Sequence, residues 1–399
     1  MTESFDALWS AIVEVGRSAT TGGYHRYALT EEDHLLREWF AGEAGARGLT
    51  LTEDRMGNQW TWWGDPDERP GVVTGSHLDS VPDGGAFDGP LGVISAFAAI
   101  DRLREQGFRP DRPIGVVHFG DEEGARFGVA CAGSRVITGA LPAERALGLV
   151  DCDGVTVAEA LRGAGRSPDM VGPDAETVRR VGSFVELHVE QGRGLVHLGQ
   201  PVGIGTHIWP HGRWRLDFPG EANHAGTTAM ADRRDAMIPL AEAVLTARQA
   251  GLAEGCVATV GRIDVRPGGV NAVPGATTAW LDARGAHEEA LRRTVAAVIA
   301  VADTAEGSVR EESWTPVTRF DAKLIKRLQN VLPDAPQLGT GAGHDAGILA
   351  NAEIPAAMIF VRNPTGISHS PAEFAERDDC TAGVEALAEV LRALTGDAG

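Results

Sequence analysis

Apolar positions recur every three or four residues near the start of the chain, at Phe5, Leu8, Trp9, Ile12 and Val13 and again at Leu35, Leu36, Trp39 and Phe40. That spacing predicts two amphipathic helices. Continuous apolar runs follow: GVVTG at 71–75, IGVVHF at 114–119 and FVELHV at 184–189 read as buried strands, and LGVISAFAAIDRL at 91–103 as a helix with Pro90 at its start. Strands alternating with helices are the pattern of an α/β layered domain.

From about residue 210 the texture changes. RWRLDF, CVATVGRIDV and TTAWLDAR read as strands, interleaved with helices over 233–249 and 288–302. The order predicts a compact α+β insert of roughly 110 residues, large enough to stand as its own domain. The α/β texture returns after about residue 320, with IPAAMIF as one more inner strand and a closing helix over 379–394. The expected organisation is therefore one discontinuous α/β domain, residues 1–209 and 321–399, interrupted by a smaller α+β domain at 210–320. We find no internal repeat, coiled coil or low-complexity segment.

Composition narrows the classes. With 43% apolar residues in 399, the chain has enough to build a core in each domain. A formal charge of −20, with no basic run, excludes nucleic acid and anionic membranes as expected partners. The first 25 residues hold no apolar stretch of signal-peptide length, and no uncharged apolar run reaches the ~18 residues of a membrane span, so a cytoplasmic protein is expected. Cys131, Cys152, Cys256 and Cys380 show no CxxC spacing and read as buried small residues rather than disulfides or thiolate ligands.

Polar, glycine-rich clusters follow the predicted strands: GSHLDSVPDGGAFDGPLG at 75–92, GDEEGARF at 120–127, ELHVEQG at 186–192 and GISHSPAE at 366–373. Strand ends are where α/β folds place ligands. Taken singly, each residue has an ordinary reading: Glu122 and Glu123 as a solvated turn, Asp88 as a helix cap, a strand histidine such as His118 as a core side chain. Taken together, His77, Asp79, Asp88, Glu122, Glu123, His188 and His369 mix imidazoles with carboxylates, which suits Zn, Mn, Co or Ni better than Mg or Ca.

The ordered set, from HLDSVPDGGAFDGPLGV through EEGARF, ELHVEQG, NHAGTT, NAVPG, LDARG and GAGHDA to GISHSPAE, resembles the amidase and carbamoylase branch of the M20 metallopeptidase superfamily. That branch contains N-carbamoyl-L-amino-acid hydrolases and allantoate amidohydrolases. The resemblance spans nearly the whole chain. It implies a dinuclear-metal catalytic domain with the insert as lid and dimerisation domain, and a homodimer formed through the insert. It implies that His77, Asp88 and His188 hold one divalent cation and Asp88, Glu123 and His369 a second, with Asp88 bridging. Asp79 would accept the remaining N–H of the His77 ring, and Glu122 would be the general base, its side chain facing differently from that of Glu123. His188 separates the branches, because related aminoacylases and peptidases have an acid at that place.

Two cations about 3.5 Å apart can share a water and lower its pKa towards ~7, so that Glu122 takes its proton at neutral pH and later passes it to the leaving nitrogen. By resemblance, His224 and His344 donate hydrogen bonds to the oxyanion, with Gly343 beside the second. His224 is expected to act across to the neighbouring subunit's site. Gln191, Asn271 and Arg284 would hold the amide and the free carboxylate of a small, amino-acid-derived substrate; the planar fork of arginine suits a carboxylate. The expected reaction is hydrolysis of a linear C–N bond in an N-carbamoyl-L-amino acid or similar ureido acid. Allantoate is the nearest rival. An N-acyl amino acid deacylase or dipeptidase, or a non-catalytic binding protein on the same scaffold, would be the remaining alternatives. Two departures stand out: Ala229 where Pro is expected, and the segment GIGTHIWPHG, whose His207, Trp209 and His211 would alter a pocket wall and the substrate choice; His207 and His211 have no motif support and otherwise read as structural.

Overall fold

A computed structural model describes residues 2–396. Its strands, in chain order, begin with β1 (Thr50–Glu53), β2 (Gln59–Trp63), β3 (Gly71–His77), β4 (Ile114–Phe119), β5 (Val181–Val189) and β6 (Val202–Ile208). Next come β7 (His211–Pro219), β8 (Asn223–His224), β9 (Cys256–Arg266), β10 (Ala272–Val273), β11 (Ala276–Gly285) and β12 (Ser308–Thr315). The last three are β13 (Thr318–Arg319), β14 (Gln337–Thr340) and β15 (Ala356–Val361). The chain divides into two compact units, one of residues 1–206, 319–338 and 343–399, the other of 207–318 and 339–342.

The first unit is built on a mixed sheet of order β1-β2-β4-β3-β5-β15-β6-β13, with β14 beside β6. Its middle, β4-β3-β5-β15, is parallel. Strands β3, β4 and β15 are buried along their whole length, which explains their unbroken apolar runs: a parallel sheet covered on both faces has no polar side. The helix Pro90–Glu105 packs on β3 and β5, and the helix Arg377–Thr395 packs on that helix. Because the four middle strands run the same way, their C-terminal ends fall along one edge.

The sequence pattern did not announce β1, β2 or β6. The first is a four-residue, mostly exposed edge strand, and QWTWW in β2 buries its threonine along with Trp60 and Trp62, so neither alternates cleanly. Two expectations need correction. Cys152 is exposed and Cys256 half-buried, unlike Cys131 and Cys380; Cys152 sits in a surface turn in which the Asp151 carboxylate accepts the N–H groups of Asp153 and Val155. The helix expected over 233–249 runs from Met237 to Glu254. It starts late because Arg233 is extended and Asp235 accepts the N–H of Met237, and it stops at Gly255, which takes the left-handed conformation (φ 67°).

The second unit is an antiparallel sheet, β12-β7-β11-β9, with the helices Met237–Glu254 and Glu288–Thr304. Strand β11 alternates buried and half-buried positions throughout, and its buried Ala279, Leu281 and Ala283 join Leu216, Phe218, Leu240, Leu291 and Val298 in a separate core. A two-residue ribbon pairs His224 of β8 with Ala272 of β10. Residues 339–342 cluster with this unit because Trp209 N–H donates to the Thr340 carbonyl and Gly339 and Gly341 lie against the Trp209 ring.

One glycine fixes how β3 meets β4. Gly75 has φ 132°, and a Cβ there would lie 2.0 Å from the Val117 carbonyl oxygen. Gly75→Ala is therefore expected to lower the unfolding free energy by more than about 1 kcal/mol in urea titration; an unchanged midpoint and slope would remove this close approach as a constraint.

Candidate metal centre

Four of the expected ligands come from ends of the parallel strands. His77 is the last residue of β3, Glu123 lies four residues past β4, His188 is the next-to-last residue of β5, and His369 follows β15 in a loop. Asp88 precedes the helix that begins at Pro90. The structure brings all five together. His188 Nε2 lies 3.1 Å and His77 Nε2 3.5 Å from Asp88 Oδ1, while His369 Nε2 lies 3.4 Å from Asp88 Oδ2 and 3.5 Å from Glu123 Oε1. One ligand atom from each of His77, Asp88 and His188 lies within 4.8 Å of the others, and the same holds for Asp88, Glu123 and His369.

The imidazoles are oriented from behind. His188 Nδ1 faces the Val189 carbonyl at 2.9 Å, and His77 Nδ1 faces the Asp79 main-chain carbonyl at 3.1 Å. A carbonyl only accepts, so each Nδ1 carries a hydrogen and each Nε2 is turned toward Asp88. The role expected of the Asp79 carboxylate shifts accordingly: it is 3.5 Å from His77 Nδ1, and it accepts the N–H groups of Glu122 (3.1 Å) and Glu123 (3.0 Å), holding the turn that carries both acids. Glu122 and Glu123 each bring an oxygen within 4.8 Å of a His77 nitrogen, so adjacency on the turn does not by itself send one of them away.

Electrostatics follow from this crowding. Burial alone would raise Asp88, but the imidazoles of His188, His369 and His77 hold its carboxyl well below the usual range. Contact with Asp88 pushes His369 up to about 9, against its burial. His77 is buried, yet Asp79 and Asp88 draw it well above an ordinary imidazole. Burial raises Glu123 to about 7, and burial with Asp345 and Glu123 raises Glu122 well above an ordinary carboxyl, His77 opposing. The donor set fits a divalent cation on one direct observation: His188 Nε2 is buried and has no hydrogen-bond partner although the Asp88 carboxylate stands before it. Facing lone pairs of this kind are reconciled by a shared proton or a cation.

Of the expected substrate-binding residues in this unit, Gln191 joins the cluster, its Nε2 donating to Asp88 Oδ2 (2.8 Å) and Ser368 Oγ (3.1 Å), with Oε1 buried and unpartnered. His344 stacks edge-on to His188, ring centroids 4.5 Å apart, and burial then His188 hold it well below an ordinary imidazole, so its ring is neutral. Gly343 is exposed with open space around it. His224, Asn271 and Arg284 belong to the inserted unit. There His224 Nδ1 accepts the Gly226 N–H, which leaves its hydrogen on Nε2, and the exposed Asn271 lies beside the same ribbon, its carbonyl accepting the Ala225 N–H. The Arg284 fork is engaged by Asp282 through Nε and Nη2, and Nη1 donates to the Gly341 carbonyl. His211 Nδ1 lies 3.0 Å from the Trp209 carbonyl, a structural contact.

A profile of peptidase family M20/M25/M40 matches residues 73–393. The chain belongs to this family. An N-carbamoyl-L-amino acid amidohydrolase of Geobacillus stearothermophilus is 37% identical over 396 residues, covering 96% of each chain. The allantoate amidohydrolase of Escherichia coli is 32% identical over 93% of this chain and 92% of its own. A hydantoinase/carbamoylase-family amidase from Burkholderia multivorans superposes with a TM-score of 0.87 at 30% identity, over 99% of this chain and 98% of that one. The branch expected from the motifs is thereby borne out, and with it the assignment to hydrolases of C–N bonds outside peptides.

Several residues of this M20 site escaped sequence reasoning. Glu373 accepts the N–H groups of Phe87 and Asp88 at 2.9 Å each and the Ser368 hydroxyl at 2.9 Å, fixing Asp88 from a position 285 residues away. It lies four residues beyond His369 within GISHSPAE, and that proximity was the available signal. Glu186, two residues before His188, accepts Ser76 Oγ and the Ala346 N–H. Gly89 (φ 87°) is required where a Cβ would meet the His77 ring at 2.4 Å.

A cation can bind only by displacing the protons that His369 holds below about pH 9 and Glu123 below about pH 7. Affinity for Zn or Mn is therefore expected to rise with pH, at least roughly tenfold per unit between pH 7 and 9 and more steeply below 7. Chelator competition at constant ionic strength measures this, and a flat profile from pH 6 to 9 would contradict it.

Proposed function

We propose that this M20 protein is a metal-dependent amidohydrolase that cleaves the linear C–N bond of an N-carbamoyl-L-amino acid or similar ureido acid. The observation that carries the reading is the convergence of three imidazoles on the Asp88 carboxylate, with a second carboxylate, Glu123, beside His369 and histidine rather than an acid at position 188. In this reading the first unit is a dinuclear catalytic domain and the inserted unit a lid and dimerisation domain. Two divalent cations, when bound, supply a water activated near neutral pH and positive charge for the substrate carbonyl oxygen.

Glu122 accepts the proton of the attacking water and returns it to the departing nitrogen, a task suited to a carboxyl that burial makes more basic than usual. Asp79 keeps that base in place through the two main-chain N–H groups it accepts. His344, neutral and with its Nε2 unpartnered, donates to the oxyanion, and His224 does so in the neighbouring subunit's site through its Nε2 hydrogen. Gln191, Asn271 and Gly343 hold the amide group. Arg284 has two of its five N–H groups left for a substrate carboxylate after those given to Asp282 and Gly341. Likeness to the Escherichia coli enzyme supports allantoate as a second substrate to be compared.

The homodimer has support in the inserted unit. Strand β9 is an edge strand with Val257 and Ile263 exposed, and the helix packed beside it exposes Ile238, Leu245 and Leu252. A long edge strand flanked by bare apolar side chains is the kind of surface that pairs with a second copy.

Ammonia release from a panel of N-carbamoyl-L-amino acids and allantoate, after chelation and metal return, is expected to be strongest with a carbamoyl amino acid. Hydrolysis of N-acetyl amino acids or dipeptides alone would overturn the reading of His188. In Glu122→Gln, turnover should fall about 10²- to 10⁴-fold while metal content stays at the wild-type level; equal turnover would take Glu122 out of the mechanism. Leu245→Glu with Leu252→Glu should convert a dimer to a monomer in sedimentation velocity, and an unaltered dimer would place the interface elsewhere.

A further inference from the structure

The turn that carries Glu122 and Glu123 is gripped on two sides. The carbonyls of Gly120, Asp121 and Glu122 take the N–H groups of Gly133, Ala132 and Cys131, and Asp79 takes the N–H groups of Glu122 and Glu123. The N–H of Gly120, at the root of the turn, goes to neither. It donates to the side-chain oxygen of Asn58 at 2.9 Å. Asn58 is 1% exposed and stands just before β2, whose Gln59 pairs with His118 of β4, so its amide lies alongside the end of β4.

Asn58 is itself held in one orientation. Its Nδ2 donates to Asp54 Oδ2 at 2.7 Å, which leaves Oδ1 for Gly120. The same Asp54 oxygen accepts Trp60 Nε1 (2.9 Å), while Oδ1 accepts the N–H groups of Met56 (2.9 Å), Gly57 (2.8 Å) and Asn58 (3.0 Å). Asp54 thus satisfies five donors and has no freedom to rotate without orphaning some of them. The other side of Asn58 is equally confined, since a Cβ on Gly133 would lie 2.2 Å from its Oδ1.

We propose that Asp54 and Asn58 form a positioning pair for the turn: Asp54 orients the Asn58 amide, and Asn58 holds Gly120, two residues before the base. Neither residue is among those that converge on Asp88. Loss of the Gly120 contact would leave a part-buried N–H unpaired and loosen the residues that follow β4, shifting Glu122 and Glu123 together. Displacements of that order lower turnover without weakening substrate binding, and partners behind a ligand commonly act at the 10- to 100-fold level.

This proposal rests on the roles given to Glu122 and Glu123 above, so its test has two readouts, steady-state kinetics and metal retention against a chelator. Asn58→Ala is expected to lower kcat about 10- to 100-fold with KM within threefold, and to weaken metal retention about tenfold through Glu123. Asn58→Asp, which sets two carboxylates face to face, should do at least as much. Asp54→Asn, which replaces one acceptor oxygen by an N–H₂ group and so meets Asn58 Nδ2 and Trp60 Nε1 with a donor, should lower kcat and metal retention in the same direction as Asn58→Ala. Should Asn58→Asp fail to fold, Asn58→Ser is read in the same way as Asn58→Ala. Wild-type kcat and metal retention in Asn58→Ala or in Asp54→Asn overturns the pair. If the wild-type protein hydrolyses no ureido acid, the proposed function fails, and metal retention in these same variants decides the positioning pair by itself.

Discussion

A single carboxylate, that of Asp88, is 7% exposed and shared among three imidazoles, and much of the surrounding architecture makes that arrangement tolerable. An unpaired carboxylate at such a depth costs several kcal/mol. Parallel strands β3 and β5 deliver His77 and His188 side by side, the loop after β15 supplies His369, and Glu373 anchors the main chain of Asp88. Gly89 lets the chain pass the His77 ring before Pro90 opens the helix. Remove the shared carboxylate and these features lose their common purpose.

The acids that surround this point are constrained by the same charge. Asp79, Glu122, Glu123, Glu186 and Asp345 all lie at the same sheet edge, and burial pushes Glu122, Glu123, Glu186 and Asp345 upward, Asp345 to about 8. Such a cluster is stable only with countercharge or shared protons. Main-chain N–H groups serve Asp79 and one oxygen of Glu186, while side chains reach the rest: Ser76 donates to Glu186, Ser134 to Asp345 and the Cys131 thiol to Glu122 Oε1.

Legibility in the sequence followed the range of the interactions. The strand-end clusters singled out His77, Asp79, Asp88, Glu122, Glu123, His188 and His369 beforehand, and the resemblance to a known family picked the five ligands from among them; the strands were legible because they are buried on both faces. Strands β1 and β2 were not, since an exposed edge and a tryptophan-rich run lack either periodicity. Glu373 and Asn58 could not be derived from spacing, because their partners lie 285 and 62 residues away and only the finished fold brings them into reach. The pairing of Arg284 with Asp282 lay two residues apart on one strand face, where the alternation of β11 could have suggested it.

His77 and His188 are sealed from solvent, whereas His369 has about half of its side chain exposed and stands at φ 53°, a left-handed conformation. Two ions seated on either side of Asp88 would therefore differ in lability. Under the two-cation reading proposed above, the ion sharing His369 would be the one open to the medium, and the ion held by His77 and His188 the enclosed one.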